Sequence, residues 1–200
     1  MPEPLKNHFG TDVPGTIAAM VSAVHPGFAT AAFVRDALQD YEELELMPRG
    51  RHIAHALHRH LPQDYPKAVA ILVASAAQPV ARVVRSGMDG FLFMPHMFYI
   101  AEYGLAHFEP SMRALFTLTP RFTAEFAIRA FLEHHAERTL RQLEIWTYDP
   151  SEQVRRLVSE GTRPRLPWAP RLPQFQRDPQ PVLRLLEHLE KVLAKRGQTA

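Results

Sequence analysis

The sequence predicts an all-α chain built as a curved stack of helix pairs. Three observations carry this. Apolar residues recur at helical spacing after the first dozen positions, and hairpin signals such as Asn-Gly are missing. Pro26, Pro48, Pro62, Pro66, Pro79, Pro95, Pro110, Pro120 and Pro150 cut the chain into segments of helix-pair length. Ile128-Arg129 and Val154-Arg155 recur 26 residues apart, each in the middle of a second helix. One pair cannot bury its apolar stripe alone, so the pairs should stack into a solenoid. A plain helical bundle is the alternative.

Taken in order, residues 1–12 read as loose. Lys6 is followed by no apolar run, so no secretory signal is visible. Helices are expected at 14–24, 28–44, 48–61, 65–77, 92–107, 111–118, 121–134, 136–148, 150–160 and 180–195. Glu42, Glu43 and Glu45 read as a solvated face. His52, His55, His58 and His60 crowd the third helix without an acid cluster, so they read as a solvated or half-buried face and not as a metal site. Ala68 to Ala77 is the longest apolar run, about half of what a bilayer span needs. Glu125 and Glu133 flank Arg129 at i−4 and i+4, the pattern of a salt-bridge ladder. Glu137 opens its helix, where an acid suits the dipole. Trp146 follows Leu140 and Leu143 at helical spacing and reads as core. Asp149, Val154 and Arg155 give D-x-x-x-x-V-R, the turn and second helix of a HEAT-like repeat. Residues 13–200 thus read as one HEAT-like repeat domain, with a Pro/Arg-rich strap at 162–173. There Pro164, Pro167, Pro170 and Pro173 follow at a spacing of three around Trp168.

Two hundred residues with 46% apolar content can bury a core. The absence of cysteine excludes disulfide staples and thiolate metal sites and suits a reducing cytoplasm. The net charge of +2 is uneven: residues 1–100 carry eight basic and nine acidic side chains, residues 101–200 fifteen and twelve. From Arg155 to Arg177 six arginines face one acid, Glu160. A stiff cationic strap of this kind suits a polyanion, and arginine binds phosphate through a bidentate fork. Codon bias in a GC-rich genome is the other source of so much arginine.

At this point the chain resembles a known family. MPHMFYIAEYGLAHF, RFTAEFAIRAFLEHHAERTL and RRLVSEGTRPRLPWAPRL, with LKNHFG and AAMVSAVHPGF nearer the start, are similar to the DNA alkylation repair glycosylases of the AlkC/AlkD-like HEAT-repeat superfamily, on the AlkC side. The resemblance covers most of residues 5–187. It implies a right-handed α-solenoid that grips duplex DNA in a basic concave groove. It also implies removal of N-alkylated purines, chiefly 3-methyladenine, by cutting the N-glycosidic bond, with no metal or organic cofactor and without a deep base pocket. Members of the family continue with a further repeat bearing an Asn-Leu-Asn-Asp-like string, and some add an immunoglobulin-like domain. This chain ends in LLEHLEKVLAKRGQTA and reads as C-terminally short.

An N3- or N7-alkylated purine is cationic and leaves as a neutral base, so the difficulty lies in the oxocarbenium-like sugar and the attacking water. A fixed carboxylate addresses both. Glu102, in IAEYG, is the expected catalytic acid: it stands in the apolar stretch Met94 to Phe108 with no charged neighbour within one turn. A hydrogen-bonded structural glutamate is the alternative. Tyr103 is expected beside the lesion, or as a buried tyrosine with a bonded hydroxyl. Arg129, Arg155, Arg163, Arg165 and Trp168 are the expected DNA contacts. For Arg129 and Arg155 the alternative is bonding between repeats to a carbonyl or to Asp149. For Trp168 it is a staple of strap to solenoid. On one inner wall the helices of Glu102, Arg129 and Arg155 would stand side by side.

The expected partner is double-stranded DNA with alkylated bases, met by a cytoplasmic monomer that touches no membrane. Two other readings stand beside the enzyme. One is a non-catalytic DNA-binding scaffold. The other is a protein-interaction solenoid whose RPRLPWAPRLP segment serves as a polyproline II ligand.

Overall fold

The computed structural model describes residues 4–78 and 89–197, which leaves Pro79 outside. Among the described residues the chain forms helices, turns and loops, and no strand. The helices are α1 (Asp12–Val24), α2 (Thr30–Leu38), α3 (Leu46–His60), α4 (Tyr65–Ala76), α5 (Met94–Tyr103), α6 (Phe108–Leu118), α7 (Glu125–His134), α8 (Ala136–Trp146), α9 (Glu152–Gly161), α10 (Pro173–Arg177) and α11 (Gln180–Gly197). The all-α expectation holds.

Prolines start these helices as well as separating them. Pro14, Pro48, Pro66, Pro95, Pro110, Pro173 and Pro181 each occupy one of the first three positions of a helix. There the missing N–H has no intrahelical acceptor to lose, and the fixed φ already suits the helix. This is why α3 and α6 begin before Pro48 and Pro110 instead of after them. The expected helix 28–44 is broken. Asp40 adopts a left-handed φ of 55°, and a 3-10 turn, Tyr41–Glu43, follows; a short polar side chain tolerates that conformation. Helix α10 was not expected, since five residues are too few to show a period.

Residues 4–12 are docked, contrary to the loose segment expected. Leu5–His8 form a 3-10 turn and Phe9 is fully buried. Arg49 explains the docking. Its guanidinium donates to the carbonyls of Lys6 (2.7 Å), Phe9 (3.0 Å), Leu44 (2.9 Å) and Glu42 (3.1 Å). The sequence pattern could not show this, because the partners are backbone atoms up to 43 residues away.

The described chain divides into two compact units, the first reaching Ala114 and the second beginning at Leu115. One continuous domain was expected for residues 13–200. In the first unit α1 packs on α2 and α4, and α3 packs on α2 and α5. Val13, Ile17, Phe33, Ile53, Leu57, Leu72 and Ile100 are fully buried there, each large apolar side chain contributing about 1.5–3 kcal/mol. In the second unit α7 packs on α8 and α9, and α11 covers α8 and α9. Its core is Ile128, Phe131, Leu132, Leu143, Leu157 and Val158. The two helices read as matching second helices, α7 and α9, do lie against each other. Gly161 permits the approach: a Cβ there would come within 2.6 Å of the Ile128 Cγ2. Trp146 is core, as expected, tilted against Phe116 at 5.6 Å.

Candidate active site

In the first unit α5 carries Glu102 as its second-last residue, and Gly104 fixes where that end lies. A Cβ at Gly104 would collide with the Ser111 and Tyr65 hydroxyls and with the Ile100 carbonyl. Ser111 donates to the Gly104 carbonyl (3.0 Å) and shares a hydrogen bond with the Tyr65 hydroxyl (2.7 Å). The end of α5 is therefore held by buried polar contacts, and Glu102 projects from a rigid support.

Glu102 is not isolated. The Arg51 Nε donates to Oε1 at 2.6 Å, and the His55 Nε2 lies 2.6 Å from Oε2. Both partners stand on α3, one turn apart, so a single helix addresses both oxygens. The carboxylate keeps 27% of its side chain exposed. It is thus oriented from one side and reachable from the other. An absence of charge along its own helix had suggested a lone acid; the charge comes from another helix.

Tyr103, the next residue, stacks on His58 with ring centroids 3.7 Å apart and planes 7° from parallel. It is also tilted against Tyr99 at 5.2 Å. Burial first, and then the charge of Glu102, push its phenol above the usual tyrosine range. Burial, and then His55, hold the His58 imidazole below its ordinary value. The stack keeps Tyr103 beside the acid as a neutral aromatic face.

In the second unit Arg129 corrects the sequence expectation. It is 2% exposed. Its Nη1 donates to the carbonyls of Gly161 (3.1 Å) and Arg163 (2.7 Å), its Nε to Pro170 (2.9 Å), and its Nη2 to Pro170 as well. Four of its five N–H donors are spent on carbonyls and the side chain is buried, so the residue fastens the strap to α7. Glu125 does not form a ladder with it. That carboxylate faces Arg156 at 3.9 Å, and burial pushes its pKa up against the pull of Arg156. Arg155 is not the counterpart of Arg129. Its Nη1 closes the preceding turn on the carbonyls of Asp149 (2.7 Å) and Pro150 (2.8 Å). The acceptors are carbonyls, as in the alternative reading, but they belong to the turn before its own helix and not to a neighbouring repeat.

The strap is a closed loop. The Leu172 N–H bonds the Pro164 carbonyl (3.0 Å), and Leu166 and Leu172 are buried. At the tip the Ala169 N–H bonds the Leu166 carbonyl (3.2 Å) around Pro167 and Trp168. Trp168 has a φ of 63° and is 65% exposed. Proline followed by a positive φ is the pattern of a type II turn, whose third position favours glycine. A tryptophan held there is presented outward at a conformational cost of about 1–3 kcal/mol. It staples nothing, and the left-handed backbone interrupts any polyproline II helix. Arg163 and Arg165 are exposed, as expected; Arg163 also reaches Glu160 at 2.8 Å.

The sequence reading missed the roles of Arg51, His55 and His58, assigning the histidines of α3 to a solvated or half-buried face; they are half-buried. Their roles were hidden because the partners lie on α5, 45 to 51 positions on. The visible signal was the spacing of four between Arg51 and His55. His60 is also engaged, 2.8 Å from Asp36. Among the described residues no group of acids and histidines is arranged to hold a metal ion.

No family model matches the chain. It is 38% identical over 186 residues to the uncharacterized protein YhaZ of Bacillus subtilis (strain 168), covering 92% of this chain and 50% of that protein. Among solved structures it superposes on the Pseudomonas fluorescens alkylpurine DNA glycosylase AlkC bound to DNA containing an abasic site analog. The TM-score is 0.85 at 39% identity, over 94% of this chain and 51% of that one. The chain spans about half the length of both proteins. Identity at this level, in the same fold and over nearly all of its residues, supports an AlkC-type family for this chain.

Proposed function

We propose that this protein is a DNA N-glycosylase that releases N-alkylated purines, chiefly 3-methyladenine, from duplex DNA. The observation that carries this is Glu102: a carboxylate with each oxygen bonded from α3, on a rigid helix end, still open on one side. The solved relative is an alkylpurine DNA glycosylase bound to abasic DNA, which supports the same chemistry here.

The reaction breaks the bond from C1′ to the base nitrogen. Alkylation has made the base cationic, so it leaves neutral with the bonding pair and needs no proton. Positive charge develops on the sugar ring, and Glu102 stabilises it electrostatically. Water adds at C1′, and its proton passes to the carboxylate. Arg51 and His55 keep the carboxylate from swinging away as that charge grows. Tyr103, flattened on His58, offers an aromatic face beside the acid. Arg163, Arg165 and Trp168 supply phosphate and stacking contacts from the second unit. The protein acts as a cytoplasmic monomer on chromosomal DNA.

The test is release of 3-methyladenine from methylated duplex, with Glu102→Ala alongside. Release by wild type and none by the variant is expected. Release by both moves the acid to another carboxylate. Salt-sensitive duplex binding without release makes the protein a scaffold, and neither release nor binding ends the DNA reading.

A further inference from the structure

We propose that Arg51 couples phosphate binding to the placement of Glu102: its Nε holds the carboxylate, and its Nη1–Nη2 edge takes a backbone phosphate of the DNA. This deepens the glycosylase reading and rests on it.

The geometry separates the two edges of one guanidinium. The Nε is committed to Glu102 Oε1 at 2.6 Å. The guanidinium lies over the Phe98 ring, 4.9 Å from its centroid. Phe98 and Glu102 are four residues apart on α5, so one helix sets both the plane of the guanidinium and the carboxylate that it grips. Among the described residues the two terminal nitrogens have no partner, and 53% of the side chain is exposed. Arg59, two turns further along α3, is exposed as well.

Stability does not account for this arrangement. An ion pair this open adds little to folding. A planar fork, stacked on a ring and open on its far edge, matches the bidentate recognition of phosphate. A phosphate there would immobilise Arg51 further and, through the Nε, stiffen the hold on the carboxylate that it already orients. Arg51 is a positioning residue for the acid and a binding residue for the strand.

The experiment uses the full chain and two readouts. The first is the salt dependence of binding to a duplex with an abasic-site analogue. The second is single-turnover release of alkylpurine from methylated duplex. Arg51→Gln should lower the slope of log affinity against log salt by about 0.9, one phosphate, and slow release by about 100-fold. Arg51→Lys keeps the charge but not the fork, so it should keep the slope and lose at least about tenfold in release. His55→Gln should slow release with the slope unchanged. Circular dichroism of each variant checks folding, and Arg51→Lys keeps the test usable if Arg51→Gln folds poorly. An unchanged slope in Arg51→Gln, or wild-type release by Arg51→Lys, overturns the proposal while leaving the glycosylase reading intact. A wild type that binds no duplex, or that binds without releasing base, overturns the glycosylase reading and this coupling with it.

Discussion

Arg129 and Pro170, 41 residues apart, are joined by two hydrogen bonds from one guanidinium to one carbonyl oxygen. The same guanidinium reaches Gly161 and Arg163, so a single side chain ties the start and the end of the strap to α7. Replacing Arg129 with Met should leave the carbonyls of Gly161, Arg163 and Pro170, buried or partly buried, without these donors. The expected loss is about 3 kcal/mol of stability, read from urea denaturation. A loss below about 1 kcal/mol would show that the strap holds without it.

Trp168 should exchange stability for contact. At a φ of 63° a glycine is at ease where tryptophan is strained. Trp168→Gly should raise stability by about 1 kcal/mol while weakening duplex affinity by about tenfold, as for loss of one stacking aromatic. Thermal melting and a binding titration give the two numbers. Unchanged affinity would remove Trp168 from the DNA interface.

His96 should make the fold acid-sensitive. It is fully buried, its Nδ1 has no partner, and its Nε2 meets the Ser75 hydroxyl at 3.3 Å. Burial pushes its imidazole down to about 4 from the ordinary 6.5. Because the folded pKa is depressed, the unfolded chain takes up the proton first. The full stability is present above pH 6.5, falls as pH drops toward 4, and is down by about 3 kcal/mol below that. Urea denaturation across this range should show the slope in wild type. His96→Gln should remove most of it.

Gly104→Ala should damage activity and fold together. Its Cβ has no room against Ser111, Tyr65 and the Ile100 carbonyl, and two of these hold the end of α5 beneath Glu102. A destabilisation of about 2–3 kcal/mol is expected, with base release falling further than the unfolded fraction explains. Full activity per folded molecule would mean that the acid tolerates a shifted helix end.

Periodicity and proline placement made the helices legible, and the α7–α9 packing followed from the 26-residue recurrence. What stayed hidden depends on direction in space. Glu125 and Arg129 have ladder spacing, yet Arg129 turns to carbonyls that become neighbours only once the strap folds over. Glu102 looked solitary because its partners arrive from α3. The strap read as a stiff rod because proline fixes its own φ, but Trp168 sets the turn. Glu102 and Tyr103 stand together at the end of α5, and Arg163 and Arg165 are exposed. Arg129 and Arg155 serve as fasteners.

Arg49 and Arg129 share a property with a wider consequence. Both are buried, and every acceptor named for them is a neutral carbonyl. Because the bonds themselves end on neutral carbonyls, there is little in them for ions to screen. The joints at the docked start of the chain and at the base of the strap are thereby insulated from ionic strength. Under the proposed DNA reading, salt strong enough to strip a polyanion from Arg51, Arg163 and Arg165 would leave these joints closed, so release would not loosen the fold.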